Sequence, residues 1–313
     1  MTRFGLQLPN FTFGVPDAEL FGQVVLRAQA AESAGFSSLW VMDHFWQLPA
    51  LGGAGQPMLE GYALLAALAA QTRTVKLGTL VTGVTYRNPA LLAKIVTTLD
   101  VISGGRAVLG IGAAWHDAEH EALGFDFPPA GERLDRLEEA LQVCRAMFRE
   151  ESPTFDGRYY RIHGATNLPR PLQPGGPQIL VGGGGERRTL RLVAQYADAC
   201  NISGDVAAVR HKLQVLHRHC QDVGRDPAEV TVTQLSSLFV TSSADETRQV
   251  RDFVTGAAGP EAARGFTIGE PDDVVAHVAE LVGAGVDELY FNMPLADPEG
   301  ITQAGKLLTS SFT

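Results

Sequence analysis

The chain has 313 residues, 45% of them apolar, and a formal charge of −10. That length suits one α/β barrel or two ordinary domains, and the acidic balance argues against nucleic acid or an anionic membrane as a partner, because the four lysines, Lys76, Lys94, Lys212 and Lys306, form no basic patch. No apolar run reaches the roughly 20 residues that cross a bilayer and no signal-peptide pattern opens the sequence, so a soluble, cytoplasmic protein is expected.

Phe4 to Pro9 reads as a first strand, and a helix capped near Asp17 carries Leu20, Val24, Ala28 and Ala31 on one face before Gly35 stops it. Leu39-Trp40-Val41-Met42 then reads as a buried strand that delivers Asp43 and His44 at its C-terminal end. A Gly/Pro loop from Pro49 to Pro57 leads to a helix over 58–71, and Val75 to Val81 is a third strand. Asn88-Pro89 caps the next helix, with Leu92, Ile95, Val96 and Leu99 at helical spacing until Gly104-Gly105.

Arg106 to Ile111 is the fourth strand and Glu132 to Glu150 its helix. Residues 151–177 break the pattern: a small hairpin around Phe155 to Tyr160 is followed by Pro169, Pro171, Pro174 and Pro177, which hold the chain extended. The alternation resumes with strand 179–181, a glycine turn, helix 186–197, strand 200–202, helix 205–224, strand 230–240, helices 245–255 and 271–284, and strand 288–291. The αβ connection Ala34-Gly35-Phe36-Ser37-Ser38-Leu39-Trp40 is echoed by Ala284-Gly285-Val286-Asp287-Glu288-Leu289-Tyr290. The expected class is α/β, a (β/α)8 TIM barrel over 1–313, with an insertion at 151–177 between the fourth helix and fifth strand.

Parallel barrels bind ligands at the C-terminal ends of their strands, which places Asp43-His44 at the mouth. An imidazole beside a carboxylate is suited to moving a proton near neutrality. Gly182-Gly183-Gly184-Gly185 joins a strand to a helix and lets the backbone approach an anion. Neither this run nor Gly110-Ile111-Gly112 completes a dinucleotide fingerprint, because the third glycine falls on Arg187 or Trp115. His116-Asp117-Ala118-Glu119-His120 matches H-x-x-E-H, yet no third ligand is in view and no metal is expected. Cys144, Cys200 and Cys220 lack metal or disulfide spacing and read as core. Phe11, Phe13, Trp46, Trp115 and Phe291 make the expected mouth aromatic, which suits a planar cofactor, with Phe11, Trp46 and Trp115 taken as substrate-pocket residues.

Trp40-Val41-Met42-Asp43-His44-Phe45, Thr82-Gly83-Val84-Thr85-Tyr86-Arg87-Asn88-Pro89-Ala90, Leu99-Asp100-Val101-Ile102-Ser103-Gly104-Gly105-Arg106, Gly110-Ile111-Gly112 and Val181-Gly182-Gly183-Gly184-Gly185 together resemble the luciferase-like monooxygenase superfamily, most closely its coenzyme F420-dependent oxidoreductases. The resemblance covers nearly the whole chain. It implies a barrel with F420, or alternatively FMN, across its mouth. Asp43 and His44 would lie beside the ring, with His44 as the acid/base residue. Thr82, Gly83 and Val84 would press against the ring through a non-proline cis peptide at or near Gly83-Val84, and Gly182 to Gly185 would hold the phosphate. The implied reaction is hydride transfer between the deazaflavin and a small, apolar or planar organic substrate, in a homodimer. An FMN-dependent monooxygenase with a partner reductase, or a non-catalytic flavin-binding protein, are the alternatives. Trp115 stands where the sugar-phosphate dehydrogenases of the family carry a glutamate, and their phosphate-binding lysines are missing, so a phosphorylated sugar is not the expected substrate.

Overall fold

A computed structural model describes residues 2–312. Eight parallel strands close a barrel: β1 (Arg3–Leu8), β2 (Ser38–Val41), β3 (Lys76–Thr79), β5 (Ala107–Gly112), β8 (Gln178–Gly182), β9 (Ala199–Ile202), β10 (Thr231–Val240) and β12 (Glu288–Asn292). Direct β9–β10 and β10–β12 pairing completes the ring. The short β4 (Thr82–Gly83) extends the β3 position by pairing with β5, and β11 (Thr267–Gly269) lies along the upper half of β10, Leu238 opposite Thr267.

The surrounding helices are α1 (Asp17–Ser33), α2 (Gly61–Gln71), α3 (Pro89–Ser103), α4 (Asp117–Leu123), α5 (Ala130–Arg149), α6 (Thr189–Tyr196), α7 (Val206–Asp222), α8 (Ala244–Ala258), α9 (Pro260–Ala263), α10 (Pro271–Gly283) and α11 (Pro298–Ser311). Five elements, β4, α4, α9, β11 and α11, fall where the sequence pattern gave none. The four buried positions of α1 anticipated from its spacing, Leu20, Val24, Ala28 and Ala31, are the ones that face the barrel, but its N-cap is Pro16, not Asp17. No helix is long and apolar enough to cross a membrane among the described residues.

The echoed connections meet inside the ring. Gly35 and Gly285 both take positive φ, the left-handed turn that ends a helix and starts a strand without a Cβ penalty. Each then delivers an aromatic to the interior, and the Trp40 and Tyr290 rings lie 4.7 Å apart. With Leu80, Val108, Leu180 and Ala199 they fill the barrel. A Cβ on Gly78 would sit 2.7 Å from Trp40 and one on Gly5 2.7 Å from Tyr290, so these strands are glycine where the plug is widest.

Residues 151–177 carry the two-stranded hairpin β6 (Phe155–Asp156) and β7 (Arg161–Ile162). The extended stretch after it is tied to α3: buried Asp100 accepts the N–H groups of Leu172 (2.7 Å) and Gln173 (3.2 Å) and the Gln173 side-chain amide (2.7 Å). Arg106 donates to the carbonyls of Ala69, Thr72, Val75 and Ser103, closing the C-terminal ends of α2 and α3 onto the strands. The Leu99 to Arg106 motif is therefore a scaffold device. Cys144, Cys200 and Cys220 are free and buried.

Candidate functional site

Every residue of β2 is buried, and the chain leaves the strand at Asp43 with the carboxyl already inside. Asp43 Oδ2 accepts from the Gly83 N–H (3.2 Å) and from Arg87 Nη1 (2.8 Å). Arg87 Nη2 continues to Glu60 Oε1 at 2.6 Å, and the guanidinium lies over the Tyr62 ring. Asp43 Oδ1 is buried with no partner. Burial pushes the Asp43 carboxyl upward, with the Arg87 charge pulling against it. Arg87 is held above its ordinary value: burial opposes its charge, but Asp43 and Glu60 outweigh that.

His44 is oriented from α4. Glu119, fully buried, accepts four hydrogen bonds: from His44 Nδ1 (2.9 Å), Tyr86 Oη (2.7 Å), and the Phe45 (2.6 Å) and Trp46 (3.1 Å) N–H groups. Burial alone would raise this carboxyl, but those donors, His44 first, hold it down at about 2. An ionised Glu119 makes His44 Nδ1 the protonated nitrogen. The ring lines the mouth cavity, so Nε2 is left for a ligand.

The H-x-x-E-H run thus has a structural explanation. His120 is buried, donates from Nδ1 to the His116 carbonyl (2.7 Å), meets Thr85 Oγ1 at 2.6 Å through Nε2, and stacks on Tyr86 at 4.5 Å. His116 faces the cavity, its Nε2 buried and without a partner. No group of His, Cys, Asp or Glu side chains that could hold a metal exists among the described residues.

The glycine run forms another wall. Gly183 takes φ +126°, and its N–H donates to the Asn201 carbonyl at 3.0 Å. The helix that follows begins at Thr189, not at Glu186, so a turn separates the run from α6. The non-proline cis peptide is at Leu80-Val81, ahead of the expected Gly83-Val84. Val81 projects against glycines on the next two strands of the barrel, β5 and β8; a Cβ on Gly112 or Gly182 would sit 2.9 or 2.8 Å from its methyls. Lys212, on α7, lays its ammonium 2.7 Å from where a Gly184 Cβ would be and donates to the Ser203 carbonyl at 2.6 Å. Sequence reading missed Lys212 because its relation to the glycines exists only across two βα units.

These parts enclose a cavity of about 360 Å³ at the barrel mouth, lined by Asp43, His44, Leu80, Val81, Thr82, Gly83, Tyr86, Ala113 to His116, Gly182 to Gly185, Thr189, Asn201 and Leu235. Trp115 is at its rim, 62% exposed. Three expected pocket residues are elsewhere. Phe11 is buried in the core, its ring edge-on to Phe13 at 6.4 Å. Val84 is likewise core, its N–H paired with Gly112. Trp46 does not line the cavity; its backbone serves Glu119 and its ring lies 6.4 Å from His116. Phe291, expected at the mouth, is also core.

A closed parallel barrel with a small-molecule cavity at the C-terminal ends of its strands has the architecture of a barrel enzyme. More narrowly, the chain belongs to the luciferase-like monooxygenase family, whose sequence profile matches residues 2–265. The F420-dependent glucose-6-phosphate dehydrogenase of Kineococcus radiotolerans is 31% identical over 309 residues, covering 88% of each chain. The 5,10-methylenetetrahydromethanopterin reductase of Archaeoglobus fulgidus is 31% identical over 201 residues, covering 64% of this chain and 53% of the relative. Among solved structures, an F420-dependent secondary alcohol dehydrogenase in complex with an F420-acetone adduct superposes with a TM-score of 0.84 at 18% identity, over 100% of this chain and 99% of the other. A long-chain alkane monooxygenase does so with a TM-score of 0.81 at 16% identity, over 99% and 90%. At those identities the superpositions speak for the fold.

Proposed function

We propose that this protein is an F420-dependent oxidoreductase acting on a small organic molecule, with His44 as the residue that gives or takes the proton. The observation that carries the reading is the Glu119–His44 pair, which occupies Nδ1 and leaves Nε2 for a ligand in a cavity that Asp43 also lines. The full-length similarity to F420-dependent dehydrogenases supports the choice of cofactor.

The residues present fit such a group. Asp43 Oδ1 is a buried acceptor in need of a donor from a planar ring. Gly182 to Gly185 present backbone without side chains to a phosphate-bearing tail, with the Lys212 cation beside Gly184. When bound, F420 supplies the hydride-exchanging carbon, so that two electrons and one proton pass between it and the substrate carbon. The barrel orients the reactants at its mouth, and His44 Nε2 takes the hydroxyl proton in an oxidation or returns one in a reduction. Glu119 stabilises the imidazolium that forms when Nε2 is protonated.

The test is a fluorescence titration of the purified protein with F420 and, separately, with FMN. Tight F420 and weak FMN binding is the expected result. The reverse moves the protein to the flavin-dependent monooxygenases, and a partner reductase becomes part of the system.

A further inference from the structure

A second cavity, of about 310 Å³, opens at the ends of β9, β10 and β12, and Leu235 is a wall of both cavities. Its character differs from that of the first. Ser203, Ser236, Ser237, Glu261 and Asn292 supply its polar groups and Phe266 its apolar surface. No lysine, arginine or histidine is among the described residues that line it, so Glu261 is its one formal charge. Lys212 is near Ser203, but its ammonium is bonded to the Ser203 carbonyl and lies over Gly184 in the wall of the first cavity.

Inside this second cavity Asn292 Oδ1 is buried and has no hydrogen-bond partner. Buried acceptors of this kind call for a donor, and a ligand hydroxyl or amine can provide it. An anionic ligand would instead meet the unpartnered Asn292 Oδ1 and the exposed Glu261 carboxylate, with no cation in the lining to offset either.

We propose that this second cavity receives the part of the substrate remote from the reacting carbon, which stays in the first cavity with His44, and that the substrate is an uncharged or cationic molecule carrying a hydroxyl or amino donor, not a phosphate or carboxylate. The assignment rests on the F420 reading above. It makes Asn292 a specificity-determining residue and Glu261 the group that turns anions away.

The experiment starts from protein saturated with F420, with the cofactor dissociation constant recorded first. Loss of F420 fluorescence is then followed with glucose, 1-amino-2-propanol, glucose 6-phosphate and lactate as probes. Reduction with glucose or the amino alcohol and none with the two anions is the expected result. Asn292→Leu should raise KM for the accepted probe about tenfold with the F420 dissociation constant unchanged, and Glu261→Lys should admit glucose 6-phosphate. Turnover of an anionic probe by the wild type, turnover of no donor-bearing probe, or an Asn292→Leu KM equal to that of the wild type would overturn the assignment. Failure to bind F420 at all is read before any probe is added, and it overturns the functional reading itself.

Discussion

Glu119 reaches across 75 positions of sequence to place its Oε2 2.9 Å from His44 Nδ1, and the same carboxylate holds Tyr86 and the two backbone N–H groups that follow His44. One buried acid therefore fixes both the tautomer of the imidazole and the path of the loop that carries it.

Replacing it tests both roles. In Glu119→Gln either orientation of the amide sets an NH2 group against donors, His44 and Tyr86 on one side or Phe45 and Trp46 on the other. We expect kcat to fall about a hundredfold with F420 affinity within about twofold of wild type. A variant with unchanged kcat and pH profile would show that the pair has no part in turnover.

The same carboxyl gives stability a pH dependence. Its folded pKa of about 2 lies below the ordinary 4.5, so its contribution is complete above about 4.5 and disappears as pH falls toward 2. The shift corresponds to about 3 kcal/mol. Urea denaturation between pH 7 and 3 should show wild type losing its advantage over Glu119→Gln across that window. Parallel curves for the two proteins would contradict the assignment.

Arg87→Met strands the Asp43 carboxylate in a buried site, which costs about 3–5 kcal/mol. Burial already raises the Asp43 pKa, and a raised acid destabilises the fold as pH climbs and it ionises. The stability gap between Arg87→Met and wild type should therefore narrow toward low pH, and Asp43→Asn in the Arg87→Met background should recover part of the loss at pH 7. A gap independent of pH would mean that Arg87 acts through its packing on Tyr62.

Two glycines distinguish tight packing from chain entropy. A Cβ at Gly110 would sit 2.0 Å from the Thr79 carbonyl oxygen, whereas one at Gly131, on α5, meets nothing within 4 Å. Gly110→Ala should lose more than about 3 kcal/mol or fail to fold. Gly131→Ala should gain up to about 1 kcal/mol. Thermal melts of both would settle the contrast, and a stable Gly110→Ala would contradict the close approach of β3 and β5.

Lys212→Met removes the cation beside Gly184. It should weaken F420 binding about tenfold and leave binding of the deazaflavin riboside, which lacks the phosphodiester tail, unchanged. Equal weakening of both ligands would place the effect on the fold instead of the tail.

The parts of this molecule that were legible in its sequence are those set by local pattern. A run of buried apolar residues ending in Asp43-His44 identifies a strand and its mouth, and Asn88-Pro89 with Gly104 marks both ends of α3. Glu119 was hidden by its neighbours: between the two histidines of an H-x-x-E-H pattern it resembled part of a metal motif, and only the folded chain shows that the acid is the member bonded to His44. Phe11 and Val84 misled because residue type says nothing of the direction in which a loop turns. β11 is three residues long and α11 carries Gly300 and Gly305 inside its span, too short and too interrupted for periodicity to reveal them.

The Trp40–Tyr290 pair has a consequence for traffic. With the interior packed behind it, the barrel is a well and not a pipe: a molecule that enters at the C-terminal ends of the strands finds no passage through to the other end and must leave by the side it came from.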